Sequence, residues 1–487
     1  MFADYVYEKS AAEYSDKMLL IDADGLEQTT KYSDSFLAHG FEVVMYRNDL
    51  DLRIRYEEKI RSASEKIAVI AAPDVYIPYD MQKCMKKYVV SLSELFPKLN
   101  AAAIKGYDCH TYDLICSAYK DNYDVLNTYD ATKEFITKRT FSQKNVCFYL
   151  NDRLKNIISR AELCKDYREW FSIAEEKARI DTTAIKYDAE IDTSDINFLF
   201  RDYILEYYSK LSSVMNTHSP VLVSKAMEYM RDQSERFVII VMDGMSEFDW
   251  MILSESFKDI NYQKTSAFAM IPTVTSVSRQ CLLSNKFPIK LENPWGQSKE
   301  KQEFVKCALS MGFNDNQISY QRGYDADFGH VIRCGAVIIN DIDDMVHGQK
   351  QGRMGMFSDV SILAKQGKLA EMTKRLVSKG FDVYITADHG NTPRQGMGKF
   401  MSSGVETETK SRCMVVLKEI ADKDTIKEKY NMIDFPKTYL PKEFDYLICD
   451  VGTSLDAKGE DVMSHGGISI DECIVPFIKI KAVDNNG

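Results

Sequence analysis

Short apolar runs recur along the second half of the chain, and polar residues follow each of them almost at once. The runs cover residues 237–242, 336–339, 383–387 and 473–480. Runs of this length are typical of buried strands. Buried strands that end in polar residues predict an open α/β sheet. We therefore expect an α/β unit over residues 233–482.

The first half of the chain divides into two regions by pattern. Residues 1–108 predict a small α/β domain, with strands at 18–22, 41–46 and 67–72. Residues 109–232 carry apolar positions three and four apart and predict a mainly helical domain. Asp22 and Asp24 follow the first strand, and we interpret them as turn residues rather than as a metal site or a phospho-acceptor.

Composition narrows the class of protein. The 487 residues are 45% hydrophobic and 28% charged, which is ordinary for a globular protein. The net charge of −11 argues against a broad, nonspecific grip on nucleic acid. No apolar run is long enough to span a bilayer, and the first residues do not resemble a signal peptide. The 11 cysteines show no C-x-x-C spacing, so we expect reduced thiols and a cytoplasmic location.

Acidic and histidine residues concentrate at the ends of the predicted strands of the second half. In an open α/β sheet the carboxyl ends of the strands are where sites form. The chain has only 7 histidines, and three of them occur here. Three carboxylates and three imidazoles suit two divalent cations. The six candidate ligands are Asp243, Asp343, His347, Asp388, His389 and His465.

A cluster of hydroxyl residues lies between the first two of these groups. Residues 271–279 read I-P-T-V-T-S-V-S-R and lead into a helical pattern. Free backbone N–H groups at a helix N-terminus favour a phosphate or sulfate, and a bound metal would activate a hydroxyl there as a nucleophile. The candidates are Thr273, Thr275, Ser276 and Ser278.

The order of these motifs resembles that of the alkaline phosphatase superfamily. The sequence is most similar to the PglZ-domain family of bacterial phage-defence and signalling proteins, especially in the phrase H-G-G-I-S-I-D-E-C-I-V-P that begins at His465. The resemblance implies an alkaline phosphatase-like, three-layer catalytic domain over residues 233–482. The small α/β domain and the helical region would precede it.

The resemblance also implies a role for each residue. One ion would be held by Asp343, His347 and His465, and the other by Asp243, Asp388, His389 and the nucleophile oxygen. Counting along the P-T-x-T pattern of related nucleotide pyrophosphatases gives Thr275 as the nucleophile, and so does the C-x-P-x-R pattern of sulfatases. Ser276 is the alternative. Arg279 would contact a substrate oxygen or form a surface or helix-capping ion pair.

These roles predict a metal-dependent phosphoric ester hydrolase. We expect a phosphodiesterase that acts on nucleotides or short oligonucleotides through a covalent phospho-threonine, with two zinc ions, or manganese as the alternative. The expected partners are the phosphoester substrate and other phage-defence proteins, with no membrane. The alternatives are a phosphatase, a phosphoglycerate mutase-like enzyme or a catalytically silent scaffold. The mutase family shares D-H-G-N at 388–391 but has a different nucleophile motif, and a sulfatase would need a Cys and a central Pro that are absent here.

Overall fold

The computed structural model describes residues 1–122, 124–214, 216–400, 411–418 and 423–482. The chain divides into two compact units, which are described separately. The first comprises residues 1–152 and 187–189, and the second comprises residues 153–186 and 190–487. The predicted division into three domains at residues 108 and 232 stays a prediction.

The first unit alternates short helices with four strands. Its elements are α1 (Phe2–Lys9), β1 (Lys17–Asp22), α2 (Leu26–Thr30), α3 (Ser33–Ala38), β2 (Glu42–Met45), α4 (Asp49–Arg61), β3 (Ile67–Ala71), α5 (Tyr79–Gln82), β4 (Lys86–Val90), α6 (Leu92–Leu95), α7 (Ala101–Ile104), α8 (Cys109–Lys120), α9 (Tyr129–Phe135) and the start of α10 (Gln143–Leu163), with a 3-10 turn at Ala12–Tyr14 and a π-helical turn at Ile136–Thr140.

The four strands form a parallel sheet in the order β2-β3-β1-β4. Alternate residues of each strand point to opposite faces, and both faces are buried. Leu20 and Ile70 enter one core cluster, whereas Leu19 and Val69 enter the other. The outer strand β4 is largely exposed and has a lysine pair at its start, which explains why the apolar pattern did not predict it.

The acidic residues after β1 hold the backbone of the turn. The Asp22 carboxylate accepts hydrogen bonds from the backbone N–H groups of Leu26 and Glu27, at 2.8 and 2.9 Å. The Asp24 carboxylate accepts one from Leu92 N–H at 2.8 Å. Both side chains therefore act as turn and helix-start acceptors, in agreement with the interpretation from sequence.

The second unit begins within α10 and contains the longer helices and the main sheet. Its helices are α11 (Tyr167–Lys186), α12 (Ser194–Tyr207), α13 (Ala226–Gln233), α14 (Glu247–Leu253), α15 (Thr275–Ser284), α16 (Glu300–Ser310), α17 (Asp341–Gly348), α18 (Gly352–Gln366), α19 (Lys368–Ser378), α20 (Lys423–Lys429) and α21 (Ile470–Cys473), with 3-10 turns at Tyr208–Ser213, Val223–Lys225, Ser254–Phe257, Pro288–Lys290, Gln297–Lys299 and Asp315–Gln317. Its strands are β5 (Phe237–Met242), β6 (Gln263–Phe268), β7 (Ile318–Arg322), β8 (Cys334–Ile339), β9 (Asp382–Thr386), β10 (Thr392–Gly396), β11 (Met414–Lys418), β12 (Met432–Asp434), β13 (Phe444–Cys449), β14 (Thr453–Ser454), β15 (Asp461–Ser464) and β16 (Ile474–Ile480).

A six-stranded sheet forms the centre of this unit, in the order β6-β16-β9-β5-β8-β7. Strands β7, β8, β5 and β9 are parallel, and β16 runs antiparallel to both of its neighbours. Every residue of β5 and β8 is buried, so both faces of the sheet are covered. This is the predicted three-layer α/β arrangement, and parallel strands need such cover because their connections return over the faces.

Two small sheets lie between β9 and β16 in the chain. One has the order β14-β10-β15 and the other β11-β13-β12. The second has a core of its own, in which Val415, Leu417 and Leu447 are buried. The antiparallel pair of β10 and β15 joins the segment after β9 to the residue before His465. The segment between β9 and β16 therefore connects the D-H-G motif at 388–390 with the H-G-G motif at 465–467.

The cysteines and helices bear on two further expectations. All 11 cysteines are free thiols, as expected, and Cys449 at the end of β13 and Cys473 at the end of α21 are buried. Across the described parts of the chain, every helix is too short or too polar to cross a membrane.

Central strand β5 gives a direct test of the fold. We predict that Ile239→Ala lowers the free energy of unfolding by about 2–5 kcal/mol, because Ile239 is fully buried between neighbouring strands and the truncation leaves a cavity. Urea unfolding followed by circular dichroism measures the change. Ile362→Ala is the matched control, since Ile362 is 56% exposed on α18, and a similar loss in both variants would contradict the placement of β5.

Candidate active site

The candidate ligands lie where the topology brings strand ends together. Strands β5, β8 and β9 are adjacent and parallel, so their carboxyl ends meet at one edge of the sheet. Asp243 follows β5, Asp388 and His389 follow β9, and α17 after β8 carries Asp343 and His347 one helical turn apart. His465 follows β15 in the smaller sheet. All six predicted ligands are brought into two groups.

The first group consists of Asp343, His347 and His465, whose ligand atoms all lie within 4.8 Å of one another. His347 Nε2 lies 3.3 Å from Asp343 Oδ2, and His465 Nε2 lies 3.4 Å from Asp343 Oδ1. The His347 side chain is 44% exposed. This group therefore opens toward solvent.

The second group consists of Asp243, Asp388 and His389, also within 4.8 Å, and all three residues are buried. His389 Nε2 lies 3.7 Å from Asp243 Oδ1 and 3.7 Å from Asp388 Oδ2. The two groups are neighbours, because the rings of His389 and His465 stack with centroids 4.2 Å apart. The arrangement is a pair of adjacent sites, one enclosed and one open.

The hydrogen bonds of two histidines leave their Nε2 atoms available as ligands. His389 Nδ1 lies 3.0 Å from the carbonyl oxygen of Gly390, and His465 Nδ1 lies 2.9 Å from that of Thr273. A carbonyl oxygen only accepts, so each Nδ1 carries the hydrogen. Each Nε2 lone pair then faces its ligand group, which is the usual arrangement of a metal-binding histidine.

Three carboxylate oxygens support metal binding by both groups. Asp243 Oδ1, Asp343 Oδ1 and Asp388 Oδ2 are buried without a hydrogen-bond partner among the described residues. The second oxygens of Asp243 and Asp388 are taken by the Arg279 guanidinium and by Gly244 N–H. An unpaired buried carboxylate oxygen is costly, and a cation would remove that cost. The residues therefore fit divalent ions, and mixed oxygen and nitrogen donors suit zinc or manganese.

The pKa values reflect the same crowding. Burial and the neighbouring Asp388 raise the pKa of Asp243 well above its usual range. Burial alone would raise the pKa of Asp343, but its hydrogen bond to His347 and the nearby histidines hold that pKa below its usual range. Burial and the neighbouring His389 lower the pKa of His465 to about 4. His465 is thus neutral at pH 7, which is the form that binds a metal.

The four candidate hydroxyls occupy different surroundings. Thr275 is the first residue of α15, and its Oγ1 lies 3.1 Å from His389 Nε2. Thr273 Oγ1 donates to Glu472 Oε2 at 2.8 Å, and Ser278 Oγ donates to the carbonyl oxygen of Asp388 at 2.5 Å. Ser276 is partly exposed on the first turn of α15. Thr275 is therefore the hydroxyl that contacts a candidate ligand side chain.

Arg279 is buried beside Asp243 instead of lying free at the site. It is 2% exposed, and its guanidinium donates to Asp243 Oδ2 and, at 2.6 Å, to Glu300 Oε2. Burial disfavours its charge, but Asp388, Asp243 and Glu300 together raise the pKa of Arg279. The alternative from sequence was a surface or helix-capping ion pair, and the structure instead buries the ion pairs of Arg279 with Asp243 and Glu300. A substrate contact stays a prediction.

The sequence did not indicate a buried carboxylate that organises the H-G-G turn. Both Glu472 oxygens accept hydrogen bonds, from Thr273 Oγ1 and Gly467 N–H on one side and from Ser469 on the other, and Arg394 forms a buried ion pair with it. The S-x-x-E capping box at 469–472 is a signal that sequence alone offers. Arg394 lies in β10 with its whole side chain buried.

Asn391 is a second supporting residue that the sequence did not indicate. Its Nδ2 donates to the carbonyl oxygen of Gly244 at 2.9 Å and to Asp249 Oδ2 at 2.6 Å. Gly244 has a φ of +76°, a conformation that favours glycine. The D-H-G-N segment thus holds the backbone turn that follows Asp243.

The fold and site define an alkaline phosphatase-like α/β protein with a candidate metal centre. The chain belongs to the PglZ family: the BREX system PglZ alkaline phosphatase-like domain matches residues 222–480. The family membership predicted from the motifs is confirmed, and so is the fold class.

The solved structures that resemble this chain share little sequence identity with it. Murine ectonucleotide pyrophosphatase/phosphodiesterase 5 is 13% identical, with 50% of this chain and 88% of that chain covered and a TM-score of 0.36. Phosphonoacetate hydrolase from Sinorhizobium meliloti 1021, in complex with phosphonoacetate, is 10% identical, with 52% and 92% covered and a TM-score of 0.32. No curated protein matches the chain.

The two ligand groups predict a metal stoichiometry. Protein purified without chelator, or reconstituted with zinc or manganese, is expected to hold about two ions per chain by elemental analysis. His465→Ala should lose one ion, because it removes a donor of the first group. His218→Ala is the control, since this histidine is exposed and belongs to neither group. One ion or none in the wild-type protein would contradict the two-metal site.

Proposed function

We propose that this protein hydrolyses phosphoric esters with Thr275 as nucleophile and two divalent cations, zinc first and manganese as the alternative. The observation that carries the proposal is the 3.1 Å contact between Thr275 Oγ1 and His389 Nε2. It puts a hydroxyl beside the group whose Asp243 and Asp388 oxygens lack partners. The ions would bind to the two groups, lower the pKa of the Thr275 hydroxyl and stabilise charge on the leaving oxygen.

The chain's own residues support an in-line displacement. Thr275 begins α15, so backbone N–H groups of the first helical turn can donate hydrogen bonds to phosphate oxygens. Its Oγ1 attacks phosphorus after losing its proton to solvent, and the bond to the leaving oxygen breaks as the Oγ1–P bond forms. The leaving group departs as an alcohol after its oxygen takes a proton from solvent. Water then attacks the phospho-threonine, its oxygen stays on phosphorus, and Thr275 regains a proton.

The charges around the site favour a phosphodiester substrate. Arg279 was the arginine expected near the substrate, and both it and Arg394 are paired with buried carboxylates. A monoester dianion would benefit from free cations of this kind, whereas a diester carries a single negative charge. The net charge of −11 disfavours a long polyanion. We therefore propose nucleotides or short oligonucleotides as substrates.

The family description suggests the setting of this activity. The matching domain is that of a BREX system, and we propose that the protein acts with other phage-defence proteins. Its 11 free cysteines agree with a reducing cytoplasm. A catalytically silent scaffold is the competing role. The complete set of six ligands argues against it, because a domain retained only as a scaffold has no need of unpartnered buried carboxylate oxygens.

Substitution of the nucleophile separates chemistry from metal binding. We predict that Thr275→Ala abolishes turnover of a nitrophenyl phosphodiester while metal content by elemental analysis stays near that of the wild type, because the six Asp and His ligands remain. Ser276→Ala is the matched control on the same helical turn. Normal turnover in Thr275→Ala, with loss in Ser276→Ala, would move the nucleophile by one residue.

The substrate class has its own test. With zinc saturating, we predict a higher kcat/KM for a nitrophenyl phosphodiester, or for short single-stranded or cyclic oligonucleotides, than for the matching monoester, because the nearby arginines are already paired. Steady-state kinetics on the same preparation measure both values. A clear preference for the monoester would contradict this assignment and favour a phosphatase. No turnover of any substrate by metal-loaded protein would favour the scaffold.

A further inference from the structure

The residues that flank the proposed nucleophile make hydrogen bonds that its own role does not explain. Thr273, Ser278 and Arg279 flank Thr275 in the P-T-x-T-x-x-S-R motif, and each is bonded to a segment that carries candidate metal ligands. The segments reached by Thr273 and Ser278 are different. This division indicates that the two hydroxyls have separate positioning roles.

Thr273 is tied to the H-G-G turn of the first ligand group. Its Oγ1 accepts a hydrogen bond from Gly466 N–H at 2.9 Å and donates to Glu472 Oε2 at 2.8 Å. Its carbonyl oxygen accepts the hydrogen of His465 Nδ1 at 2.9 Å, across 192 residues of sequence. The same residue therefore orients the His465 ring and holds the backbone that follows it.

Ser278 is tied to the D-H-G turn of the second ligand group. Its Oγ donates to the carbonyl oxygen of Asp388 at 2.5 Å, across 110 residues of sequence. It also accepts a hydrogen bond from Met270 N–H at 2.9 Å. Ser278 thus links the segment before the motif, the helix that begins at Thr275, and the backbone that carries Asp388 and His389.

We propose that Thr273 and Ser278 are positioning residues, each holding the Thr275 turn in register with one of the two metal-ligand groups. Thr273 serves the group of Asp343, His347 and His465, and Ser278 serves the group of Asp243, Asp388 and His389. This inference rests on the proposed function, because it assumes that both groups bind ions. It extends the proposed function, because it gives a positioning role to two hydroxyls that are fully buried and do not react.

The physical reason is the distance in sequence between the parts of the site. The nucleophile turn, the H-G-G turn and the D-H-G turn come from separate segments, and no local secondary structure sets their spacing. A displacement of the reacting atom by about 1 Å is enough to cost a large part of the rate. Residues that orient a metal ligand typically change metal affinity by about 10–100-fold when they are removed.

The test uses near-isosteric variants and reads metal affinity rather than activity. Zinc affinity is measured for Thr273→Val and Ser278→Ala by titration against a chelator. His465→Ala and His389→Ala identify which binding step belongs to which group. Thr273→Ser keeps the hydroxyl and serves as the rescue.

Two controls match the substitutions in type and burial. Thr373→Val removes a buried hydroxyl that, within the described ranges, bonds inside its own helix, to the Leu369 carbonyl oxygen at 2.8 Å. Ser284→Ala removes a buried hydroxyl on α15 itself, and that hydroxyl has no hydrogen-bond partner among the described residues. Neither is expected to change zinc affinity.

The expected result is a crossed pattern. Thr273→Val should weaken the step that His465→Ala removes by about tenfold or more, and leave the other step within about threefold. Ser278→Ala should do the reverse, weakening the step that His389→Ala removes. Thr273→Ser should restore affinity to within about threefold of the wild type, because it keeps both hydrogen bonds.

Several results would overturn the inference. Unchanged affinity in both variants, equal weakening of both steps by either one, or an equal effect in Thr373→Val would show that the hydroxyls do not act on separate groups. If Thr273→Val does not fold, Thr273→Ala and Ser278→Ala decide by the same criterion. Wild-type protein that binds no zinc would instead overturn the proposed metal centre, and the inference with it.

Discussion

Two acidic side chains, Asp243 and Asp388, are buried next to each other, and the rest of the site depends on how their charges are balanced. Each follows a central strand of the same parallel sheet, so the topology forces them together. Burial and mutual repulsion raise the pKa of Asp243. Arg279 offsets part of the charge, and each carboxylate keeps one oxygen without a hydrogen-bond partner among the described residues. A divalent cation bound there would satisfy these unpaired carboxylate oxygens.

Buried ion pairs of Glu472 and Asp471 hold the loops around the two ligand groups. Glu472 and Arg394 are both fully buried and paired, and they anchor the H-G-G turn to β10. Asp471, the next residue along, receives hydrogen bonds from Lys177 and Arg353, which come from α11 and α18. Burial opposes a charged Asp471, but these two cations hold its pKa below the usual range. Loss of one partner from such a cluster would leave a charge unpaired in the interior.

The two ligand groups differ in their access to solvent, and this difference is compatible with different roles in the proposed reaction. The group with Asp243 and Asp388 is enclosed and adjoins Thr275, whereas the group with His347 is partly open. In the proposed reaction the enclosed group would activate the Thr275 hydroxyl, and the open group is the one that solvent reaches. The stacked rings of His389 and His465 are the contact through which the two groups adjoin.

The amino-acid sequence was sufficient for the family and the α/β class, and it singled out six side chains that the fold brings together in two groups. These depend on local features, namely apolar runs that end in Asp243 or Asp388 and a D-x-x-x-H spacing that puts Asp343 and His347 on one helix face. The sequence did not predict strand β4, which is exposed and starts with two lysines. It also left the role of Arg279 open between substrate and ion pair.

Tertiary structure decided which polar residues face the site and which form ion pairs in the protein interior. Arg279 and Arg394 look available in sequence, but Asp243 and Glu300 engage the first and Glu472 the second. Sequence could not reveal this, because a buried polar group is defined by partners that lie far away along the chain. Ser278 and Asp388 are 110 residues apart, and Thr273 and His465 are 192 apart. Their pairing exists only once the sheet has brought its strand ends together.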